Sequence, residues 1–423
     1  MLATPEIIRE GAQLSRLSEL VPRWRQVPMY RDYPFPRRGA SSSAGHETHL
    51  GDLPFISKRE IIRDFPANFL PSGQSLEKLQ ERNVVELDHT SGTSEEQMQV
   101  MFRQGWWDLQ ERRALNLNTL AGSLLDQQPD ARRATLTTPA CSGRVCFSAW
   151  RSRAHRTIGH TLFVNQSRIP FVMTNAELAR MAEEISEWEP RFLDMDPVHG
   201  AWFALFCERN GIRFPSLKLI LASYEFVSLV HRRILERAFQ VPVYDLYGST
   251  ETGHLLMEDT RGQMKPCLEN AFLELIEPDA RHVSELVVTS LTNDFMPLLR
   301  YRIGDLVERC EHPYGSTYIV HGRLRDTLRD RCGERITTWQ VDECFNDITG
   351  LAAYQLQQAQ NGECRLRYLP ETDEMSARNI SRLVSRLEEL LEPPVGIVVE
   401  PVKMLPPTPS GKFRLTARVD AIQ

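Results

Sequence analysis

The sequence predicts an α/β protein with a large N-terminal domain of mixed β-sheets and packed helices, followed by a small C-terminal α+β domain. A predicted strand at 217–222, a helix at 227–239 and a strand at 241–247 follow one another at the spacing of a parallel crossover unit. Apolar runs at 272–276 and 285–291 are typical of paired antiparallel strands, so the sheet is expected to be mixed. After residue 336 the pattern changes to a helix, two strands, a second helix and a last strand.

The N-terminal part begins with helical signals. Apolar residues within 1–40 predict a helix followed by a Pro-rich connector, and the small residues at 41–45 predict a loop. Ser57 is placed to cap a short helix that carries Ile61 and Ile62. Helical signals dominate from there to about residue 118, interrupted by the small hydroxylic loop that starts at Thr90.

The C-terminal part is predicted in similar detail. The run at 296–308 is expected to end a strand at Gly304, leaving Asp305 exposed, and the charged stretch at 321–336 is either a solvated hairpin or a hinge. Beyond it we expect a helix at 341–348, strands at 353–358 and 363–368, a helix at 380–391 and a strand at 395–402. A tail rich in Pro and Gly then carries Lys412 on a loop.

Composition limits the function classes. The 423 residues carry a formal net charge of −6 and no basic tract that could follow a phosphate backbone, which argues against nucleic acid as a partner. No apolar run reaches the roughly 18 residues of a membrane span, and the acidic start lacks the pattern of a signal peptide. These features predict a soluble cytoplasmic protein.

Eight cysteines occur without any CxxC pair, which favours reduced, idle thiols. The alternative is a zinc knuckle formed by Cys310, His312 and Cys332, although this spacing fits no standard zinc pattern.

The stretch YDLYGSTETG at 244–253 is the strongest candidate site. A strand that ends there projects Ser249, Thr250 and Glu251 from its end, where open sheets bind ligands. A hydroxyl can donate to a phosphate, a carboxylate oxygen suits a hard divalent cation, and the ring of Tyr247 can stack on a base. Taken alone, a stretch of this composition is more often a solvated loop than a nucleotide site.

A second candidate is the loop TSGT, formed by Thr90, Ser91, Gly92 and Thr93. Its N–H groups and hydroxyls could cradle an anion, yet such four-residue loops are common and carry little information alone.

Five stretches together are far more specific than any one of them. The order TSGT at 90, YGSTE at 247, RYRIGD at 300, GRLRD with CGERI from 322 and PSGK at 409 resembles the adenylate-forming superfamily of acyl-CoA synthetases, adenylation domains and luciferases. The PFISK stretch at 54 and MPLLRYRIGDL at 296 are most similar to its phenylacetate-CoA ligase branch. The resemblance covers the chain from about residue 50 to the C-terminus.

The resemblance implies a nucleotide site whose members come from several motifs. Tyr247 and Gly248 would lie at the adenine, beside the loop formed by Ser223, Tyr224 and Glu225; Thr250 would bind the α-phosphate of ATP. Glu251 would hold Mg²⁺. Ribose recognition falls to Asp305, assisted by Arg323.

The resemblance also implies a moving part. An N-terminal domain at 1–325 would bind ATP and the acid, and a mobile lid at 326–423 would rotate about Asp326. Lys412 would enter for the first half-reaction, in which a carboxylic acid becomes an acyl-AMP. It would then leave, and the segment at Gly333 would help to form a tunnel for the thiol of coenzyme A or of a carrier-protein phosphopantetheine.

One departure from the family pattern keeps alternatives open. After TSGT the chain reads SEEQ, so Glu95 and Glu96 stand near the expected β- and γ-phosphates, where negative charge would weaken ATP binding. The chain is therefore expected to be an active ligase, with two alternatives: an enzyme that hands the acyl-AMP to an amine or a reductase, or a nucleotide-binding homologue without turnover. Branch similarity suggests an aromatic acid, with Tyr224 or Phe226 as pocket walls.

Overall fold

The computed structural model describes residues 5–35, 50, 53–90, 97–136, 152–165, 167, 169–313, 315–408 and 411–421. Its helices are α1 (Pro5–Trp24), α2 (Lys58–Arg63), α3 (Leu76–Glu81), α4 (Trp106–Leu115), α5 (Thr119–Gln127), α6 (Asn175–Trp188), α7 (Pro197–Arg209), α8 (Leu229–Phe239), α9 (Thr338–Glu343) and α10 (Ala377–Leu391). No helix among these residues is long and apolar enough to cross a bilayer.

The strands of the first two-thirds of the chain are β1 (Val85–His89), β2 (Gln99–Arg103), β3 (Arg133–Leu136), β4 (Thr157–Ile158), β5 (Thr161–Phe163), β6 (Phe192–Met195), β7 (Leu219–Ala222), β8 (Val243–Ser249), β9 (Gly253–Glu258), β10 (Met264–Pro266), β11 (Ala271–Ile276) and β12 (Ser284–Ser290). The later strands are β13 (Tyr301–Cys310), β14 (Thr317–Arg323), β15 (Leu328–Arg329), β16 (Arg335–Ile336), β17 (Leu351–Ala359), β18 (Cys364–Pro370), β19 (Val398–Pro401) and β20 (Thr416–Val419). The α/β class and the alternation of helices and strands predicted from the sequence are confirmed.

The chain divides into two compact units, called unit 1 and unit 2 below. Unit 1 comprises Met1–Gly122 and Tyr247–Ile319, and unit 2 comprises Ser123–Leu246 and Val320–Gln423. The domain boundary predicted between residues 325 and 326 stays a prediction, because neither unit begins or ends there.

Unit 1 contains sheet strands in the order β11-β12-β13-β14-β10-β9, and the pairs β11–β12, β12–β13, β14–β10 and β10–β9 are antiparallel. The antiparallel pair predicted at 272–276 and 285–291 is confirmed as β11 and β12. β12 is buried along its whole length, although only its central residues, 286–288, are apolar.

Two expectations for unit 1 are wrong. The region expected to be helical up to residue 118 contains the antiparallel pair β1 and β2. Val100, Met101 and Phe102 are all buried, and such an unbroken apolar run does not distinguish a strand from a buried helix.

The second wrong expectation concerns Gly304, where the strand was expected to end. β13 runs on through Gly304, whose φ of +80° coincides with a shift in the register of β12 against β13 between Glu285 and Val287. This irregularity has the features of a β-bulge, which redirects the next side chain. Asp305 is accordingly 4% exposed rather than open to solvent.

Unit 2 contains the predicted crossover unit. β7 pairs in parallel with β8, and α8 lies between them in sequence. β6 and β3 continue the parallel pairing, which explains the apolar character of these strands. Their inner faces and α6, α7 and α8 share one core with the C-terminal elements; this core includes Leu193, Phe203, Ile220, Phe345, Leu366 and Leu387.

The C-terminal part of unit 2 is the predicted α+β arrangement. Its sheet has the order β19-β18-β17-β20, with β17 and β18 antiparallel and the outer pairs parallel. α10 buries Leu383, Leu387 and Leu391, the stripe expected from helical spacing. The predicted helix at 341–348 is observed earlier, at α9, because Thr337 caps it by accepting a hydrogen bond from the N–H of Gln340.

Candidate functional site

The motif at 244–253 forms the end of β8, a short turn and the start of β9. A Cβ added to Gly248 would lie 2.2 Å from the carbonyl oxygen of Gly253, so the two backbone segments approach too closely for any side chain. The hydroxyls of Ser249 and Thr252 lie 2.9 Å apart across the turn. The sequence places the motif correctly at the end of a strand.

Tyr247 and Asp305 meet in unit 1. The Tyr247 hydroxyl donates to Oδ2 of Asp305 over 2.7 Å. The structure thus joins two residues that the resemblance assigned to the adenine and the ribose of one nucleotide. The irregularity at Gly304 accounts for the direction of the Asp305 side chain.

Glu251 is 8% exposed and has one partner that the sequence reasoning missed. The Tyr301 hydroxyl donates to its Oε1 over 3.0 Å. A nearly buried carboxylate with oxygen ligands to offer fits a hard cation such as Mg²⁺. Among the residues that the structure describes, no group of three or more His, Cys, Asp or Glu is arranged to hold a metal ion, so the Cys310, His312 and Cys332 alternative gains no support.

The first loop is described only at Thr90. This residue is buried, and its hydroxyl accepts from the N–H of Met98 over 3.0 Å. Ser91, Gly92 and Thr93, together with Glu95 and Glu96, lie outside the described residues.

Unit 2 holds the loop of Ser223, Tyr224 and Glu225. The N–H of Ser223 donates to the carbonyl of Met195 at the end of β6, so the loop starts at the carboxyl ends of the parallel strands. Tyr224 has a φ of +74°, a left-handed conformation that is uncommon for a residue with a side chain. The residue is 37% exposed.

Lys412 reaches this loop. Its Nζ donates to the Tyr224 carbonyl over 3.0 Å, and the N–H of Phe413 donates to Oε1 of Glu225 over 2.9 Å. Residues 188 positions apart in sequence therefore meet within unit 2. The entry of Lys412 into a nucleotide site stays a prediction.

Buried polar groups surround Glu225. Asp196 accepts from the N–H groups of Val198 and His199, because it caps α7, whose first residue is Pro197. The His199 ring lies 3.2 Å from the same oxygen. Burial opposes the charge of Asp196, but these hydrogen bonds and the ring still lower its pKa.

Glu225 and His231 shift toward their neutral forms. Burial, with the neighbouring charge of Asp196, raises the pKa of Glu225 well above its usual range. Burial lowers the pKa of His231 to about 4, so its ring is neutral at pH 7. Neither ring nitrogen of His231 has a hydrogen-bond partner among the described residues.

The predicted hinge contacts the strand that follows Lys412. Asp326 is 9% exposed, and its carboxylate lies 3.2 Å from Nε of Arg414. The Thr416 hydroxyl donates to the Asp326 backbone carbonyl over 2.7 Å. Arg323 lies at the end of β14, next to this segment.

Gly333 forms the turn between β15 and β16. Its φ is +82° and its N–H donates to the carbonyl of Asp330. The residue is exposed. Its role in a thiol tunnel stays a prediction.

No protein-family model matches the chain. Phenylacetate-coenzyme A ligase of Pseudomonas putida is 24% identical over 384 residues, covering 83% of this chain and 78% of the relative. Protein CapK of Staphylococcus aureus is 26% identical over 243 residues, covering 55% of this chain and 54% of the relative.

Solved structures share the fold. 2-Hydroxyisobutyryl-CoA ligase in a postadenylation state with 2-HIB-AMP aligns with a TM-score of 0.70 at 16% identity, covering 99% of this chain and 90% of the ligase. The anthranilate CoA ligase AuaEII with anthranoyl-AMP aligns with a TM-score of 0.56 at 15% identity, covering 78% and 65%.

The fold agrees with the resemblance to the adenylate-forming superfamily that the five motifs carry. The chain is also similar in sequence to a phenylacetate-coenzyme A ligase, as the resemblance to that branch predicts.

Proposed function

We propose that this protein is an AMP-forming acid–thiol ligase. In the first half-reaction a carboxylate oxygen attacks the α-phosphorus of ATP and pyrophosphate leaves. In the second, a thiol sulfur attacks the acyl carbon of the acyl-AMP and AMP leaves. The structural neighbours, which carry acyl-AMP and in some cases CoA, support this proposal.

One observation carries the proposal. Within unit 1, the Tyr247 hydroxyl donates a hydrogen bond to Asp305, and Glu251 accepts one from the Tyr301 hydroxyl. Tyr247 and Glu251 belong to the motif YGSTE, whereas Asp305 and Tyr301 belong to the motif RYRIGD. A solvated turn would not need these contacts between motifs about fifty residues apart, whereas a composite nucleotide site does.

The residues supply charge and orientation to the first half-reaction. The ammonium of Lys412 can offset the negative charge of the carboxylate and the α-phosphate, which otherwise repel each other. Thr250 is proposed to donate to the α-phosphate and Tyr247 to contact the adenine. Mg²⁺ held by Glu251 would neutralise phosphate charge in the bound nucleotide.

An aromatic acid is the proposed substrate class. The similarity to a phenylacetate-CoA ligase and the fold shared with an anthranilate CoA ligase support it. Tyr224 and Phe226, on the loop beside Lys412, are proposed pocket walls, because aromatic rings pack favourably on one another. 2-Hydroxyisobutyrate, the acid of the structurally similar CoA ligase, is the aliphatic acid against which aromatic acids are to be compared.

Exchange of labelled pyrophosphate into ATP tests the activity. We expect exchange that depends on an added carboxylic acid, with phenylacetate or anthranilate above 2-hydroxyisobutyrate. A protein that binds ATP and shows no exchange with any acid would be the non-catalytic homologue.

The acyl acceptor is proposed to be coenzyme A. Release of AMP from preformed acyl-AMP should then accelerate with added CoA. Acceleration only by a phosphopantetheine-loaded carrier protein would reassign the acceptor, and acceleration by an amine without a thiol would contradict thioester formation. We further propose a cytoplasmic location.

A further inference from the structure

The segment that carries Lys412 is attached to the loop at 223–225 by two successive hydrogen bonds. We infer that Glu225 is a positioning residue that holds Lys412 in place for the first half-reaction by accepting the N–H of Phe413. This inference rests on the proposed function.

The two bonds join consecutive residues on both sides. Lys412 donates its ammonium to the carbonyl of Tyr224, and the next residue, Phe413, donates its backbone N–H to the side chain of Glu225. The φ of +74° at Tyr224 is a conformation that a residue with a side chain seldom adopts without a reason. Two adjacent anchors fix the direction of the lysine, whereas the flexible ammonium contact alone would fix only its tip.

Thr408 and Lys412 are joined by two hydrogen bonds. Lys412 donates its N–H to the hydroxyl of Thr408 over 3.2 Å, and its carbonyl accepts from the N–H of Thr408 over 2.7 Å. Gly411, next to Lys412, has a left-handed φ of +86°. The contacts with Thr408 and Glu225 therefore hold the backbone at Lys412 and Phe413 from both sides.

The ring of Phe413 is held by two other aromatic rings. It makes edge contacts with Phe171, at 5.6 Å between ring centroids, and with His199, at 5.9 Å. These contacts orient the N–H that Glu225 accepts.

Glu225 is a costly residue for a purely structural role. Its Oε2 is buried without a hydrogen-bond partner among the residues described, although the side chain as a whole is partly exposed. The charges near it are those of Asp196, Asp326 and Lys412. A shielded carboxyl with one hydrogen bond adds little to the free energy of unfolding, so replacing Glu225 should change that free energy only slightly. The main effect of the replacement should be on the position of Lys412.

The experiment compares Glu225→Ala, which removes the acceptor, with Glu225→Gln, which keeps a carbonyl oxygen for the N–H of Phe413. We expect Glu225→Ala to slow acid-dependent pyrophosphate exchange by about 10- to 100-fold, because small displacements of a catalytic group have effects of this size. Thiol attack on supplied acyl-AMP should lose at least about tenfold less than pyrophosphate exchange does, since Lys412 is not needed there. Glu225→Gln should restore most of the exchange rate. The matched control is Glu183→Ala, an exposed glutamate of α6.

A second measurement does not need activity. Hydrogen–deuterium exchange should accelerate at the amide of Phe413 in Glu225→Ala and not in Glu183→Ala. In a Lys412→Ala background, Glu225→Ala should cause no further loss of pyrophosphate exchange, because the two residues act as one unit.

The outcomes separate the inference from the proposed function. Equal losses in both half-reactions, or an unchanged Phe413 amide, would overturn the positioning role. If the unaltered protein shows no exchange with any acid, the proposed function fails, while the amide measurement still decides whether Glu225 anchors the segment.

Discussion

Each of the two carboxylates at the candidate site of unit 1 accepts a hydrogen bond from a tyrosine hydroxyl. Tyr247 donates to Asp305, and Tyr301 donates to Glu251. Hydrogen bonds to a charged acceptor are stronger than those between neutral groups, so both carboxylates are held in defined positions before any ligand binds. A ribose that binds Asp305 must share this carboxylate with Tyr247.

Substitutions at Tyr247 and Asp305 should show whether ATP binding depends on the hydroxyl or on the carboxylate. Asp305→Asn is expected to raise the KM for ATP in pyrophosphate exchange by about 10-fold, because it removes the charge that strengthens hydrogen bonds to the ribose. Tyr247→Phe keeps the ring and should change this KM less than about threefold. If Tyr247→Phe is as harmful as Asp305→Asn, the hydroxyl itself is essential and the ribose assignment of Asp305 loses its support.

Lys412 should be needed in one half-reaction only. We expect Lys412→Ala to reduce pyrophosphate exchange by at least about 100-fold, since it removes the positive charge that we propose stabilises the transition state. Attack of CoA on supplied acyl-AMP should be largely unchanged, as rapid-quench measurement of thioester would show. Similar losses in both steps would contradict a lysine that leaves after the first step.

For single residues, the sequence indicated which side chains belong to the candidate site but not which residues they contact. Tyr247, Glu251, Asp305 and Lys412 stand in recognisable motifs. Their partners depend on long-range packing: the hydroxyl of Tyr301 and the N–H of Phe413 reach across 50 and 188 residues, and no local pattern encodes this.

Among the elements, α8 and α9 are joined by one buried carboxyl. Asp342 is 2% exposed and accepts from the N–H of Leu229, at the start of α8, and from the Tyr354 hydroxyl. Burial raises the pKa of Asp342 from 3.8 to about 7. The C-terminal elements are thus attached to α8 by a group that titrates near neutral pH.

Stability should therefore depend on this carboxyl. A group whose pKa is higher in the folded chain binds its proton more tightly there, so the free energy of unfolding falls as the pH rises from about 4 to about 7. We expect Asp342→Asn to reduce the difference between pH 5 and pH 8 by on the order of 1–3 kcal/mol, measured by urea unfolding. Glu374→Gln, at an exposed glutamate outside α8 and α9, is the control. An undiminished difference in Asp342→Asn would show that Asp342 is not the titrating group.

Element prediction succeeded where the periodicity was clear and failed where burial hid it. α10 shows a single apolar stripe, and β11 and β12 are adjacent strands in the chain, so both were predictable. β2, buried at three successive residues, resembles a helical segment in sequence, and the bulge at Gly304 resembles a turn.

At the scale of the molecule, the proposed lid at 326–423 shares unit 2 with residues 123–246. If it rotates between half-reactions, the contacts of Lys412, Asp342 and Glu371 with that part must break. Glu371, for example, pairs with Arg237 at 3.1 Å, a partly exposed contact of the kind that contributes little to stability.

Energy transfer between two dyes can detect this rotation. Dyes at Glu183→Cys and Glu389→Cys, both exposed, should change their transfer efficiency when CoA is added to protein holding an acyl-AMP analogue. The exposed Cys332 is first replaced by serine. A pair at Asp130→Cys and Glu183→Cys, both before residue 246, should not change. Constant efficiency in both pairs would contradict a mobile lid that begins near Asp326.

The close approach at Gly248 restricts how this site can diversify. Because even a methyl group would collide with the Gly253 carbonyl, a mutational library at position 248 should return only glycine among active clones. New substrate specificities, whether selected in nature or in the laboratory, must therefore arise from the surrounding side chains. The close backbone contact between Gly248 and Gly253 must stay unchanged.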